Sequence, residues 1–210
     1  MRPYWPVPRL WPGATFACLG GGPSLTAEQV EALRGRARVI VINDAWRLAP
    51  WAEVLYACDG RWWRKHGGVP GFAGLKVTLS NSAAQVAAWP EIAVLENTGT
   101  EGLEIQPHGL RTGRNGGYQA INLAVHLGAR RILLLGYDMK PAADGRTHWF
   151  GDHRDWPTRP SLFHDVFLPH FEGLAHALDA IGVAVVNCTP GSALEAFAKA
   201  PLDQALADRL

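Results

Sequence analysis

Short apolar runs alternate with segments of helical periodicity along most of the chain. The runs, which are nearly continuous, are 14–19, 38–42, 54–57, 75–79, 92–95, 132–135 and 183–186. Such runs are typical of strands in a parallel sheet that helices cover on both faces. Their alternation with helical segments predicts an α/β fold. We therefore expect one domain, three layers deep, with a mostly parallel, Rossmann-like sheet.

Residues 114–139 contain the clearest helix and strand of the chain. Gly116 and Gly117 precede a segment whose apolar positions recur at helical spacing, and Gly128 should end that helix. The next apolar run follows, and Asp138 comes just after its carboxyl end. Open α/β sheets bind their ligands at the carboxyl ends of strands. Asp138 is therefore a candidate binding residue.

A glycine-rich loop follows the first predicted strand. It consists of Gly20, Gly21, Gly22, Pro23 and Ser24. A capping-box pattern comes next, so a helix should begin directly after the loop. Such a loop lets a phosphate or ribose approach backbone N–H groups at a helix amino terminus. The alternative is a tight turn, since the loop matches neither the dinucleotide-binding fingerprint nor the P-loop.

Polar residues also follow three other predicted strands. Asn43 follows the second strand, Asp59 the third and Ser192 the last. Asn43 and Asp59 could bind a ligand or simply cap the next helix, and Ser192 should cap a helix that begins near Ala193. In a parallel sheet these residues share one edge with the glycine loop. Together with Asn115, which precedes the central helix, they are candidate nucleotide-binding residues.

A long loop at 140–160 concentrates titratable side chains. It contains His148, Asp152, His153 and Asp155, and loops of this length are usually functional or disordered. We predict that this lid-like loop supplies a general base, His153 or else His148, that Asp152 or Asp155 orients. The same groups could instead bind a divalent metal such as Mg²⁺ or only stabilise the folded loop.

Other local patterns give further expectations. A helix should end near Trp89, and residues 96–114 are rich in turn formers and should form a mobile loop or flap. Residues 161–181 should form a long helix that breaks at Pro169. The segment 201–210 should be a final amphipathic helix.

Several single side chains can also be placed from the pattern. Trp62 and Trp63 are adjacent on one predicted helix and cannot both face one site, so one of them should lie in the core. Several of the nine tryptophans should cap the core or line a cleft. His126 has no titratable neighbour in the pattern and is expected at the surface or its boundary. The odd number of cysteines favours buried free thiols, which are Cys18, Cys58 and Cys188.

Charge and hydropathy exclude some classes of function. The formal charge is +1 with no basic block, so duplex nucleic acid is not an expected partner. No apolar run approaches the ~20 residues needed to span a bilayer, and the start of the chain lacks the hydrophobic segment of a signal peptide. We expect a cytoplasmic protein. An oligomer is compatible with the sequence.

Short motifs in a fixed order give a more specific expectation. They are Gly22, Pro23 and Ser24, then Asn43, then Asn115 to Tyr118 with Gly136, Tyr137 and Asp138, then His148 to His153, then Cys188 to Ser192. Together they resemble the bacterial CMP-sialic-acid-dependent sialyltransferases that modify lipooligosaccharide. The resemblance implies a nucleotide-sugar transferase with a CMP-linked donor and a hydroxyl acceptor. The donor would be held by the Gly-Pro-Ser loop, Asn43 and the turn at 115–118.

The chain departs from that family at several positions. Gly21 stands where the family has a functional asparagine, and the tyrosines that hold the leaving phosphate have no counterpart after Asp138. One residue is inserted before the second histidine of the loop, so either Asp152 or His153 could occupy the base position. The motifs also look like those of motility-accessory and hydroxymethylpterin diphosphokinase-like proteins, which implies diphosphate transfer from ATP. A non-catalytic nucleotide-binding or interaction protein is the third interpretation.

Overall fold

Nine parallel strands form one sheet in the computed structural model, which describes residues 3–151 and 158–208. They are β1 (Thr15–Leu19), β2 (Arg38–Ile42), β3 (Val54–Tyr56), β4 (Leu75–Leu79), β5 (Ile92–Asn97), β6 (Gly109–Leu110), β7 (Arg131–Leu135), β8 (Ala184–Asn187) and β9 (Ala198–Lys199). All neighbouring strands are parallel, in the order β6-β5-β4-β3-β2-β1-β7-β8-β9. The predicted α/β fold with a parallel sheet is confirmed.

Helices cover both faces of this sheet. The α-helices are α1 (Ala27–Glu31), α2 (Gly60–Lys65), α3 (Gly116–Leu127), α4 (Leu168–Ala180) and α5 (Leu202–Ala207). Short 3₁₀ helices span Asn43–Arg47 and Ser80–Ser82, and a π-helical segment spans Phe163–Phe167. Alternate residues of β1 enter two separate apolar clusters, one with α3 and α4 and the other with α1, α2 and α5. The fold therefore has three layers, with the sheet between two layers of helices. Among the described residues, no helix is long and apolar enough to cross a membrane.

The order of the strands reverses at β1. This strand pairs with β2 on one side and with β7 on the other, so that Cys18 lies between Ile40 and Leu134. Strands β2 to β6 extend in one direction and β7 to β9 in the other. The connections that leave β1 and β7 therefore diverge, and a crevice forms between the carboxyl ends of these strands. This is where open α/β sheets bind ligands.

Several local predictions are confirmed. The Thr26 hydroxyl accepts from Gln29 N at 3.2 Å and the Gln29 side chain accepts from Thr26 N at 3.0 Å, which is a capping box. Gly128 ends α3 with a φ of +109°. Pro169 lies in the first turn of α4, where the π-helical segment gives way to the α-helix. All three cysteines are free thiols.

The segment 96–114 is mainly a loop, as predicted, but it packs on the body of the protein instead of forming a flap. The segment contains the edge strand β6, and Asn122 of α3 holds it in place. The Asn122 side chain accepts from Glu104 N at 2.9 Å and from Arg111 N at 3.2 Å, and it donates to Glu104 O at 2.9 Å. His126 is also buried rather than exposed, with Nε2 2.9 Å from Gly109 O. Long-range bonds of this kind leave no periodic signal in the sequence.

Three other expectations are corrected. The connection that precedes Trp89 contains a 3₁₀ turn at Ser80–Ser82 and further turns, rather than an α-helix. Ser192 does not cap a helix, because the chain after it leads through turns into β9. Both Trp62 and Trp63 are buried, rather than one of them, and their rings pack edge to face with centroids 5.1 Å apart.

Candidate functional site

A cavity of about 210 Å³ lies at the carboxyl ends of β1, β2 and β7. Six parts of the chain line it: the glycine loop, the end of β2, the start of α3, the residues directly after β7, the π-helical segment before α4, and four residues of the predicted lid-like loop, which are Thr147, His148, Phe150 and Thr158. The predicted site residues that line it are Gly20, Gly21, Gly22, Pro23, Asn43, Asn115, Gly116, Gly117, Asp138 and His148. The strand order brings these distant residues together.

The glycine loop packs directly on the end of β7. Gly22 N donates to Gly136 O at 2.9 Å, and a Cβ atom on Gly22 would lie 2.0 Å from Asp138 Oδ2. Ser24 donates to the Asp138 carboxylate from both its amide, at 3.1 Å, and its hydroxyl, at 2.9 Å. Asp138 therefore anchors the loop. Burial raises the pKa of Asp138, against the lowering effect of the two Ser24 hydrogen bonds.

The start of α3 forms a second wall of the cavity. Asn115 caps the helix, because its side chain accepts from Gly117 N at 2.7 Å and from Tyr118 N at 3.2 Å. Tyr137 OH donates to Gly117 O at 3.0 Å, which joins the helix to the end of β7. The side-chain carbonyl of Asn115 is thus used for capping.

Residues with unpaired backbone donors or positive charges line this cavity. Within the described part of the chain, the amide N–H groups of Gly21 and Gly116 have no hydrogen-bond acceptor. The exposed side chains of Arg114 and Lys140 also belong to its lining. Backbone N–H groups at a helix amino terminus and nearby cations favour an anionic ligand.

Asn43 occupies an unusual backbone position. Its φ is +50°, in the left-handed region, at the first residue of the 3₁₀ helix that follows β2. The next residue, Asp44, is buried and accepts from Trp62 Nε1 at 2.9 Å. This contact holds the turn against α2 while Asn43 lines the cavity. Non-glycine residues in this region often occur at functional sites.

His148 lies over the glycine loop. Its Nδ1 is 3.3 Å from Gly21 O, and its Nε2 is 3.2 Å from Thr158 Oγ1. Its ring stacks on Phe150 with centroids 5.1 Å apart and an interplanar angle of 1°. Trp149 N donates to Gly21 O as well, at 3.1 Å. The middle of the predicted lid-like loop is therefore docked on the glycine loop, and its His148 lines the cavity.

Two phenylalanines of the π-helical segment complete the lining. Phe163 and Phe167 are partly buried against the core, with ring centroids 6.0 Å apart. They also line the cavity that His148 and the glycine loop share. A π-helical turn within a helix is rare and occurs frequently at functional sites.

Some predicted residues lie elsewhere. Asp59 does not line the cavity. It caps α2 and pairs with Arg61. Burial raises the pKa of Asp59, but the hydrogen bonds and the charge of Arg61 outweigh burial, so the pKa is lowered overall. Ser192 is buried beside the cavity, and its hydroxyl donates to Tyr137 O at 2.5 Å. Asp59 is thus a helix cap, which was the alternative interpretation of this residue. Asp152, His153 and Asp155 lie outside the described residues.

Sequence reasoning missed several residues of the lining. Arg114 and Lys140 flank motifs that were identified, so their charge and proximity could have indicated them. Phe163 and Phe167 gave no such signal, because aromatic residues at helical spacing look the same whether they face a core or a cleft. Thr158 is a single hydroxyl residue in a loop and gave no signal either. Only the path of the chain before α4 brings them to the cavity.

No metal site is evident in the residues that the structure describes. There, no group of three or more His, Cys, Asp or Glu side chains could hold an ion. The Asp138 carboxylate is engaged by Ser24 instead.

Comparisons with protein-family models, with curated proteins and with solved structures each gave no match.

Proposed function

We propose that this chain transfers a sugar from a nucleotide-sugar donor to an acceptor hydroxyl. The sequence motifs of the chain favour a CMP-linked donor. One observation carries the proposal: unpaired amides, two cations and a histidine share one cavity at the point where the strand order reverses. The amides and the cations suit a phosphate, and the histidine can act as the base that an attacking hydroxyl needs. We also propose a cytoplasmic location, which rests on the sequence alone.

In this proposal the donor phosphate binds the amides of Gly21 and Gly116. Arg114 and Lys140 would neutralise part of its charge at the mouth of the cavity. The nucleobase would stack on Phe163 and Phe167, since aromatic side chains stabilise planar rings by contact with their faces. The leaving nucleotide would thus be bound along the glycine loop and α3.

His148 is proposed as the general base. It lies in the same cavity as the phosphate cradle, and a positioned base typically contributes about 10²- to 10⁴-fold in rate. The acceptor oxygen forms a bond to the anomeric carbon while the bond from that carbon to the phosphate breaks. The hydroxyl proton passes to His148, and the electron pair of the broken bond leaves on the phosphate.

Calorimetry with CMP, CDP, UDP and GDP tests the nucleotide site. A combined Arg114→Gln and Lys140→Ala variant should bind the preferred nucleotide about tenfold more weakly, since each exposed charge contact is worth up to about 1 kcal/mol. Arg130→Gln is the matched control, because Arg130 is exposed near the amino end of β7, away from the cavity. Absence of binding to every nucleotide would refute the proposal and favour an interaction protein.

Transfer assays separate the proposed reaction from its main competitor. With the preferred nucleotide sugar, His148→Gln should lower kcat by about 10²- to 10⁴-fold and leave nucleotide affinity nearly intact. Preference for ATP with a strict requirement for magnesium would instead support diphosphate transfer.

A further inference from the structure

Two of the contacts of His148 indicate which of its nitrogens can act as a base. Nδ1 lies 3.3 Å from the Gly21 carbonyl oxygen, and a carbonyl can only accept a hydrogen bond. Nδ1 must therefore carry the proton in this contact. In the neutral ring Nε2 is then unprotonated, so it accepts from the Thr158 hydroxyl at 3.2 Å.

Two neighbouring contacts fix the segment that carries the ring. Phe150 stacks on His148 with parallel planes, and Trp149 N donates to the same Gly21 carbonyl at 3.1 Å. A Cβ atom on Gly21 would lie 3.1 Å from Nδ1, so the absence of a side chain there lets the imidazole approach the loop. The glycine loop thus positions the imidazole ring of His148.

We infer that the Gly21 carbonyl is the positioning group that sets the tautomer of His148, and that Thr158 Oγ1 marks the position of the acceptor hydroxyl. This inference rests on the proposed glycosyl transfer. The loop that would bind the donor then also prepares the base for the acceptor. On arrival the acceptor displaces the Thr158 hydroxyl from Nε2 and donates its own proton there.

The tautomer can be measured without any assay of activity. Long-range ¹⁵N–¹H spectra of protein labelled at its histidine rings distinguish Nδ1–H from Nε2–H, and His148→Gln identifies the signal by its loss. We expect neutral His148 with its proton on Nδ1. A proton on Nε2 would overturn the inference, even if the protein transfers sugar and the proposed function stands.

The Gly21→Ala and Thr158→Ala variants test whether this arrangement matters for catalysis. Gly21→Ala should displace the ring and lower kcat by about 10- to 100-fold, because small misplacements of a base have effects of that size. Its effect on donor Kd should be smaller. Gly173→Ala is the matched control, because a Cβ atom there meets no atom within 4 Å. An unchanged kcat in folded Gly21→Ala would contradict the positioning role.

Thr158→Ala should lower the acceptor KM about fivefold with kcat unchanged, since a competing hydrogen bond of about 1 kcal/mol is removed. Thr158→Ser, which keeps the hydroxyl, should behave like the wild type. A fall in kcat for Thr158→Ala would overturn the assignment, because the hydroxyl would then belong to the proton path. Absence of nucleotide binding in the wild type would refute the proposed function and, with it, the catalytic role of the measured tautomer.

Discussion

Gly22 is the residue whose lack of a side chain matters most to the packing of the cleft. A Cβ atom there would lie 2.0 Å from Asp138 Oδ2 and 2.5 Å from Gly136 O, and a backbone carbonyl has little freedom to move away. Gly22→Ala should therefore lower the free energy of unfolding by about 1–3 kcal/mol through overpacking. Urea denaturation measures the change.

The Gly173→Ala variant serves as the control for that prediction. Gly173 is exposed within α4, and an added Cβ meets no atom within 4 Å. Replacing a helical glycine by alanine should raise the free energy of unfolding by about 0.5–1 kcal/mol. Equal stability of Gly22→Ala and the wild type would contradict the close contact between the glycine loop and β7.

Asp138 should give a distinctive pH dependence. Burial raises its pKa above the ordinary value of 3.8, so the folded protein keeps this proton to a higher pH than the unfolded chain does. The stability that the protonated carboxyl contributes is complete below 3.8 and is lost as the pH rises through the folded-state pKa. The stability of the wild type relative to Asp138→Asn should therefore fall as the pH rises from about 4.

Urea denaturation at several pH values measures this difference. Asp144 provides a control of opposite sign, because its hydrogen bond from the Arg146 side chain lowers its pKa. The stability of the wild type relative to Asp144→Asn should rise over the acidic range. A rise for Asp138 as well would mean that the hydrogen bonds from Ser24 outweigh burial.

At the scale of elements, Asn122 connects α3 to the chain that carries β6. Truncation to alanine would leave the buried amide and carbonyl of Glu104 and the amide of Arg111 without this partner. Each unpaired buried group costs about 1–3 kcal/mol, so Asn122→Ala should lower the free energy of unfolding by about 2–4 kcal/mol. Hydrogen exchange should show faster amide exchange in the segment around β6.

The exposed Asn81 allows a matched substitution. Its side chain accepts from Asn97 Nδ2 at 3.0 Å at the surface, and Asn81→Ala should change stability by less than about 0.5 kcal/mol. If Asn122→Ala were as stable as Asn81→Ala, Asn122 would not be the residue that holds the segment.

At the scale of the whole molecule, the three thiols should be unreactive while the protein is folded. Burial raises the pKa of Cys18 to about 12, of Cys58 to about 11 with a contribution from the Asp59 charge, and of Cys188 to about 11. Because the thiolate is the reactive form, a thiol reagent at pH ~8 should label the native protein slowly. Labelling in urea should be fast and should reach all three.

Cys58 is the most informative of these thiols, because it is only partly buried. Fast labelling of Cys58 in the native protein would contradict its raised pKa. Mass spectrometry of the labelled peptides would assign each rate to one cysteine, and Cys18, at the centre of the sheet, provides the slow reference.

Elements whose signals are local could be predicted from the linear pattern of residues. Apolar runs marked seven of the nine strands that the described residues contain, and side-chain patterns marked the capping box at Thr26, the end of α3 at Gly128 and the break at Pro169. These features depend on neighbouring residues, so a linear pattern contains them. The same linear pattern also placed the glycine loop, Asn43 and Asp138 at the ends of strands.

Which of those strand ends share a cavity depends on the order of the strands in the folded sheet. Asp59 and Ser192 follow strands just as Asn43 and Asp138 do, yet they do not line it, because the strand order reverses beside β1. The two-residue strands β6 and β9 are too short for periodicity to reveal. The approach of His148 to Gly21 joins residues 127 positions apart, and such contacts depend on the path of the chain rather than on local sequence.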